Sequence, residues 1–382
     1  MEPDERNFAA AKAAELLETA GFSLRLSLRD FAVLVKSDKR EPLAWLRWFL
    51  APCFATSRTE SGDWRITYRA DAGHFAALAR ELSEYDSREI PSRVPGGRQV
   101  CHREYFVPGM RVLHNDEFGA FCFAWPERRE LLLLAERDDE ESRLYLARAT
   151  RKLTTLHYER QGAAVAHACA FVRDGFATLG VAEKGGGKTT FLIRDLLAGA
   201  DLISNDRVLL YREGGQVMVA GLPNIVTIRP GTLDLFPEMR DQFLRQHYQP
   251  LALRDKGDEL YRITVAQLCH LTGARPAASA PVGRIVFLAA DGDGGEAPSA
   301  TRAAQLLKAA LFDYGDRPRV FFSSLYPVEP GEFRQAADLL CDFLVNHCSC
   351  EYGNWRSAGV AEARPPSATR SARRSRIISR RQ

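Results

Sequence analysis

"GVAEKGGGKTTF", residues Gly180 to Phe191, is the stretch on which the reading of this chain turns. The full phosphate-loop pattern is Gly, four residues, then Gly-Lys-Ser/Thr. Ala182 stands at its first position, and Gly187-Lys188-Thr189 complete it. The apolar run before it, "FATLGVA", reads as a strand, and "TTFLIRDLLAGA" after it reads as a helix. In that setting the backbone N–H groups of Gly185, Gly186 and Gly187 can wrap a β-phosphate, and the helix N-terminus adds its partial positive charge. Lys188 would reach the β- and γ-phosphates, the Thr189 hydroxyl would bind Mg²⁺, and Thr190 completes the set of nucleotide-binding residues. The first position serves mainly as a strand-to-loop hinge, so alanine costs something there only if its backbone needs positive φ. The bland alternative, a glycine-rich turn with a chance lysine, does not explain why strand, GGGKTT and helix coincide.

Working outward, "HACAFV" and "FATLGVA" are two short apolar runs joined by Arg173-Asp174-Gly175. A DG between such runs is a strong hairpin signal. The strand entering the loop is therefore expected to pair with the strand just before it. In GTPases and motor ATPases the entering strand usually lies in a parallel sheet instead. "DLISNDRVLLYRE" then begins a new β region, and it places Asp206 eighteen residues after Lys188, a candidate metal ligand.

These features resemble the catalytic domain of bacterial HPr kinase/phosphorylase, which is related in fold to ATP-dependent phosphoenolpyruvate carboxykinase. "HACAFV", "AEKGGGKTT" and "LISNDRVLL" carry the resemblance, with His167, Lys188-Thr189 and Asp206-Arg207-Val208 at matching positions. It covers roughly residues 165–235 and does not reach the N-terminal third. The resemblance implies a branch separate from HPr kinase itself, an α/β (α+β) fold with a mixed sheet, ATP and Mg²⁺ as cofactors, and self-association. It also favours a phosphate or substrate contact for Arg229, in "TIRPGTL". The chain departs from the family at Asn205, where the family has the first of two adjacent aspartates. The family's pair shares metal binding and activation of the acceptor hydroxyl, and asparagine cannot accept a proton. Three outcomes stay open. Asp206 or His167 takes the base role; the acceptor needs little deprotonation, because phosphoryl transfer is dominated by positioning and charge neutralisation; or the protein binds nucleotide and catalyses poorly.

The rest of the chain bounds these expectations. It has 382 residues, 46% hydrophobic and 26% charged, with a formal net charge of +3. That is ordinary globular composition, and nucleic acid is not expected as a partner. The longest dense aliphatic run, Leu131 to Leu134, is far too short for a bilayer, so no membrane partner is expected. "MEPDERN" lacks an apolar signal core, and the eight cysteines read as reduced thiols, giving a cytoplasmic expectation. Seven of the residues between Ala361 and Gln382 are arginine, and everything from 353 on reads as a disordered tail.

Residues 1–150 read as an α+β region for substrate selection or assembly. They comprise a helix over 9–20, a strand in "LRLSLRDFAVLVKS", helix or buried strand in "PLAWLRWFL", a strand in "DWRITYRAD", a helix in "HFAALARELSEY", an antiparallel sheet from His102 to about Leu134, and a helix from Glu140 to His157. Residues 151–352 read as the phosphate-loop domain, with later helices at "ITVAQLCHL" and "TRAAQLLKAALF", a strand at "GRIVFLAAD", and a last helix from Glu332 to Asn346. Arg317 and Arg319 read as surface charges, Asp291 to Gly295 as a solvated turn, and Cys348 with Cys350 as a helix-end thiol pair without zinc spacing. The expectation is an ATP-dependent kinase whose acceptor is an unknown protein, peptide or metabolite. Its site residues are Lys188, Asp206, His167 and Arg229, with Thr189 and Asp206 on the metal. The rival is a catalytically weak nucleotide sensor.

Overall fold

The strand entering the glycine loop lies in a mixed sheet and is antiparallel on one side and parallel on the other. This holds in a computed structural model that describes residues 8–18, 21–93, 99–183, 185–245, 260–288, 297–312, 325 and 330–353. The sequence expectations for Arg317, Arg319, Asp291 to Gly295 and the arginine-rich tail lie outside the described residues.

The N-terminal part is built on a nine-stranded sheet ordered β3-β1-β2-β4-β9-β8-β7-β6-β5. Helix α1 (Phe8–Glu18) precedes β1 (Phe22–Leu28) and β2 (Phe31–Ser37). Next come α2 (Glu41–Leu50), β3 (Ala55–Ser57), β4 (Trp64–Ala70) and α3 (Ala72–Leu82). Strands β5 (Ser87–Arg93), β6 (Gln99–Val107), β7 (Met110–Asn115), β8 (Ala120–Trp125) and β9 (Glu130–Ala135) form an antiparallel meander. Strand β4 is parallel to both β2 and β9, which makes the sheet mixed. The run "LRLSLRDFAVLVKS", expected as one strand, is two. It turns at Arg29-Asp30, with Arg29 at φ 52°. No glycine or asparagine announces that turn, which is why the sequence hides it.

Helix α4 (Glu140–Glu159) follows, started by an Asp139 side chain that accepts from Ser142 N while Ser142 Oγ accepts from Asp139 N. That reciprocal cap satisfies two otherwise orphan N–H groups. The expected boundary at 150/151 falls inside this helix. Its Leu146, Leu153 and Tyr158 share one core cluster with Val33 of β2 and with Leu209 and Leu222 further along the chain.

The second sheet holds β10 (Ala164–Arg173), β11 (Phe176–Val181), β12 (Asp201–Ser204), β13 (Arg207–Glu213), β14 (Gln216–Gly221), β17 (Ser279–Leu288) and β18 (Ser349–Gly353). The expected hairpin is present: β10 and β11 are antiparallel and turn through Asp174 (φ 53°) and Gly175 (φ 81°). The loop helix α5 (Lys188–Leu197) connects β11 to β12. A small pair, β15 (Val226–Ile228) with β16 (Tyr261–Ile263), flanks α6 (Pro230–Leu233) and α7 (Pro237–Arg245). Helices α8 (Val265–Thr272), α9 (Ala300–Ala310) and α10 (Pro330–His347) complete the described elements. The expected last helix is followed by β18, parallel to β17. Cys350 is therefore a strand residue, and burial pushes the Cys348 thiol up to about 12.

Register gives the second sheet its closure. The first half of β10 pairs β13 and the second half pairs β11 and β12. The start of β17 pairs β14 and the remainder pairs β11. The circuit β11-β10-β13-β14-β17 thus returns to β11. Among the described residues no helix is long and apolar enough to cross a membrane.

Candidate functional site

The site is placed by the register of β10. His167 pairs with Arg207, and its neighbour Ala168 pairs with Val181, the last residue of β11. Antiparallel to β10, β12 and β13 run as one line broken at Asn205-Asp206. Asp206 therefore sits in the break rather than on a strand, and His167 lies inside β10 rather than at its start. The break is two strand spacings, about 10 Å, across β10 from the residue where the glycine loop begins.

The loop itself is shaped by its glycines. Gly185 and Gly187 both take φ 87°, a conformation that side chains disfavour. Gly186 N donates to Glu183 O at 3.1 Å, and a Cβ on Gly186 would stand 2.9 Å from the Ala182 Cβ. The described non-glycine residues with positive φ are Arg29, Arg129 and Asp174, so Ala182 carries no such strain. Phe191 N donates to Gly187 O, which closes the first turn of α5.

Lys188 is buried, and its Nζ donates to the carbonyls of Ala182 (2.8 Å) and Glu183 (3.4 Å). Both acceptors are neutral. Burial lowers the Lys188 pKa, and the negative charge of Asp206 pulls it partly back. Lysine and aspartate therefore share one electrostatic neighbourhood. Thr189 is half-buried at the helix start, and the Thr190 hydroxyl lies 3.4 Å from that of Thr232 on α6. That contact brings the exposed Arg229, which caps α6, to the flank of the loop helix.

Asp206 is the most heavily engaged carboxylate of the site. His167 Nε2 is 3.0 Å from Oδ1, Asn224 Nδ2 donates to Oδ2 at 3.0 Å, and Arg207 Nε stands 3.7 Å from Oδ2. Burial alone would raise its pKa. The hydrogen bond and charge of His167, the charge of Arg207 and the bond from Asn224 outweigh burial and bring it down to about 2. An ionised carboxylate only accepts, so His167 Nε2 carries the hydrogen of this bond.

Asn205 is buried beside it. Its Nδ2 donates to Ile225 O at 3.2 Å, while Oδ1 has no hydrogen-bond partner. A buried acceptor without a donor costs about 1–3 kcal/mol, and a ligand that fills it recovers that cost.

Two residues of this network have no signal in the motifs. Arg151 of α4 is buried and donates through Nη1 to Asn224 Oδ1 (3.1 Å) and to the Pro223 carbonyl. Asn224 then passes the contact to Asp206. Arg151 follows the helical spacing of α4, and nothing in a local window shows that its face meets the 222–225 turn. Among the described residues no group of three or more His, Cys, Asp or Glu side chains could hold a metal. Asp206 and Thr189 carry oxygens of the kind that a phosphate-bound Mg²⁺ could take. His102 is buried, and that burial pushes its imidazole down to about 4, which suits a neutral core histidine.

No protein-family model matches this chain, and no curated protein matches it.

Proposed function

We infer that the chain is an ATP-dependent phosphotransferase of the HPr-kinase-like type. The observation that carries this reading is the convergence, through β10, of a glycine loop and its buried Lys188 with an ionised Asp206 paired to His167. The donor chemistry fits a magnesium–nucleoside triphosphate. Gly185 to Gly187 lead into the start of α5, where helix N–H groups gather, and Lys188 is held only by neutral carbonyls that a phosphate can outcompete. Bound there, ATP with Mg²⁺ would supply the phosphoryl group and neutralise charge as it develops.

The protein's own groups divide the remaining work. A carboxylate held near 2 is a weak base and a good cation ligand, so Asp206 serves the metal side. His167, whose Nε2 donates to Asp206, offers Nδ1 to the proton of an acceptor hydroxyl. Asn205 orients a donor group through its unfilled Oδ1 without taking a proton. Among the described residues here, the cations Lys188, Arg151 and Arg207 outnumber the carboxylates Asp206 and the exposed Glu183, which suits a triphosphate.

The test is transfer of label from γ-labelled ATP with Mg²⁺, offered with protein and small-molecule fractions as acceptors. Transfer by the native chain and none by a folded Lys188→Ala variant supports the reading; equal turnover in that variant refutes it. The neutral amide at Asn205 favours a second reading, a nucleotide sensor with little turnover. ATP binding without γ-phosphate loss, and no gain in Asn205→Asp, would select it.

A further inference from the structure

Arg151 is a buried cation on α4, a helix whose apolar residues join a core cluster rich in leucine. Its guanidinium can only donate, so the oxygen of the Asn224 amide must face it. The planar amide then has its Nδ2 on the opposite side, where it donates to Asp206 Oδ2 at 3.0 Å. The amide dipole thus lies between a positive and a negative charge, aligned with both, an arrangement in which each hydrogen bond strengthens the other. The second Nη1 bond, to the Pro223 carbonyl, fixes the turn that carries Asn224. From the other elements, Asp206 is faced by His167 on β10, Arg207 on β13 and Lys188 on α5.

We propose that Arg151 is a positioning residue for the Asp206 carboxylate, acting through the Asn224 amide. Helix α4 therefore sets the orientation of a carboxylate that the glycine loop alone does not touch. Without the guanidinium the ionised carboxylate still selects the N–H end of the Asn224 amide, but the amide oxygen loses its donor and the 222–225 turn loses its tie to α4. An amide that shifts away with the loosened turn takes its bond from Oδ2 and leaves the carboxylate free to adopt another rotamer. This rests on the reading of Asp206 as the metal-side carboxylate, and it makes the site dependent on helix α4.

The experiment uses the full chain and the variants Arg151→Met and Asn224→Ala, with ATP affinity measured in the presence and absence of Mg²⁺. The expected result is an affinity with Mg²⁺ lowered about 10- to 100-fold, the usual cost of losing a partner behind a metal ligand, with Mg²⁺-free affinity unchanged. A merely structural role would lower both equally and overturn the proposal, as would unchanged Mg²⁺ dependence. Asn224→Ala removes the intermediary at a half-buried position and keeps the test decisive should Arg151→Met not fold. A second readout needs no nucleotide: crystal structures of the native chain and Arg151→Met. The bond from Asn224 Nδ2 to Asp206 should be present in the first and lost in the second; an unchanged bond refutes the positioning role. If the native chain binds no nucleotide, the phosphotransferase reading fails, and the crystallographic comparison still decides the role of Arg151.

Discussion

His167 Nε2 lies 3.0 Å from Asp206 Oδ1, although 38 residues, a hairpin, the glycine loop and a helix separate them in the chain. The pair exists because His167 is opposite Arg207 in the β10–β13 register, one residue from the aspartate. The two side chains should therefore act together. Asp206→Asn is expected to lower phosphoryl transfer about 10²- to 10⁴-fold, with His167→Gln in the same range. The double variant should be little worse than the worse single one, since groups that act as a unit are not additive. Single-turnover rates on the four proteins check this; fully multiplicative losses would separate the two residues.

Asp206 also gives the fold a pH dependence with a defined sign. Its folded pKa of about 2 lies below the ordinary 3.8, so the native state favours the ionised form. That stabilisation, at most about 2 kcal/mol, is complete above pH 4 and is lost as pH falls from about 4 towards 2. Urea unfolding at pH 5, 4 and 3 should show a smaller loss of stability in Asp206→Asn than in the native chain. Equal slopes would contradict the assignment.

Lys188 is buried at an energetic cost, with its charge answered only by carbonyls and a neighbouring carboxylate. Replacing a desolvated charge with an apolar chain of similar volume is often neutral or stabilising. Lys188→Met should therefore abolish nucleotide binding while changing unfolding free energy by no more than about 1 kcal/mol. A large drop in stability would mean that the lysine is a structural residue.

Within the loop, Ala182 and Gly186 are coupled by a close approach. A methyl group added at 186 meets the Ala182 Cβ at 2.9 Å. Gly186→Ala should cost about 1–3 kcal/mol and weaken nucleotide binding, and Ala182→Gly alone should change little. The double variant should recover part of the loss, and a thermodynamic cycle on binding measures it.

Gly221 tests the frame apart from the chemistry. A Cβ there would overlap the carbonyl oxygen of Ile203 and stand 2.8 Å from Cys53 Sγ. This is where the end of β14 crosses β12 and meets the residues that follow α2. Gly221→Ala should destabilise by about 3 kcal/mol. A melting temperature unchanged from the native protein would show that this crossing is loose.

The elements with strong local chemistry were legible in the sequence. Asp174-Gly175 announced the hairpin, the glycine run announced the strand-to-helix turn, and leucines at helical spacing announced α4 and α5. The parallel joins were not legible, because the neighbours β2, β4 and β9 are set by packing across long stretches of chain. The hairpin at Arg29-Asp30 was hidden because arginine takes the left-handed conformation there. In the site, Lys188, Thr189, Asp206 and His167 were readable from a motif and a resemblance. Arg151 and Asn224 were not, since their roles arise only when α4 packs beside the 222–225 turn. Strand β18 was masked by its shortness and by the helix that runs into it.

The most direct test of the central claim is equilibrium binding of ATP to the full-length chain, with and without Mg²⁺, alongside Lys188→Met and Asp206→Asn. The account predicts saturable one-to-one binding that Mg²⁺ strengthens, lost in Lys188→Met, and retained without the Mg²⁺ increment in Asp206→Asn. No saturable binding by the native chain, or binding indifferent to both substitutions, would contradict it.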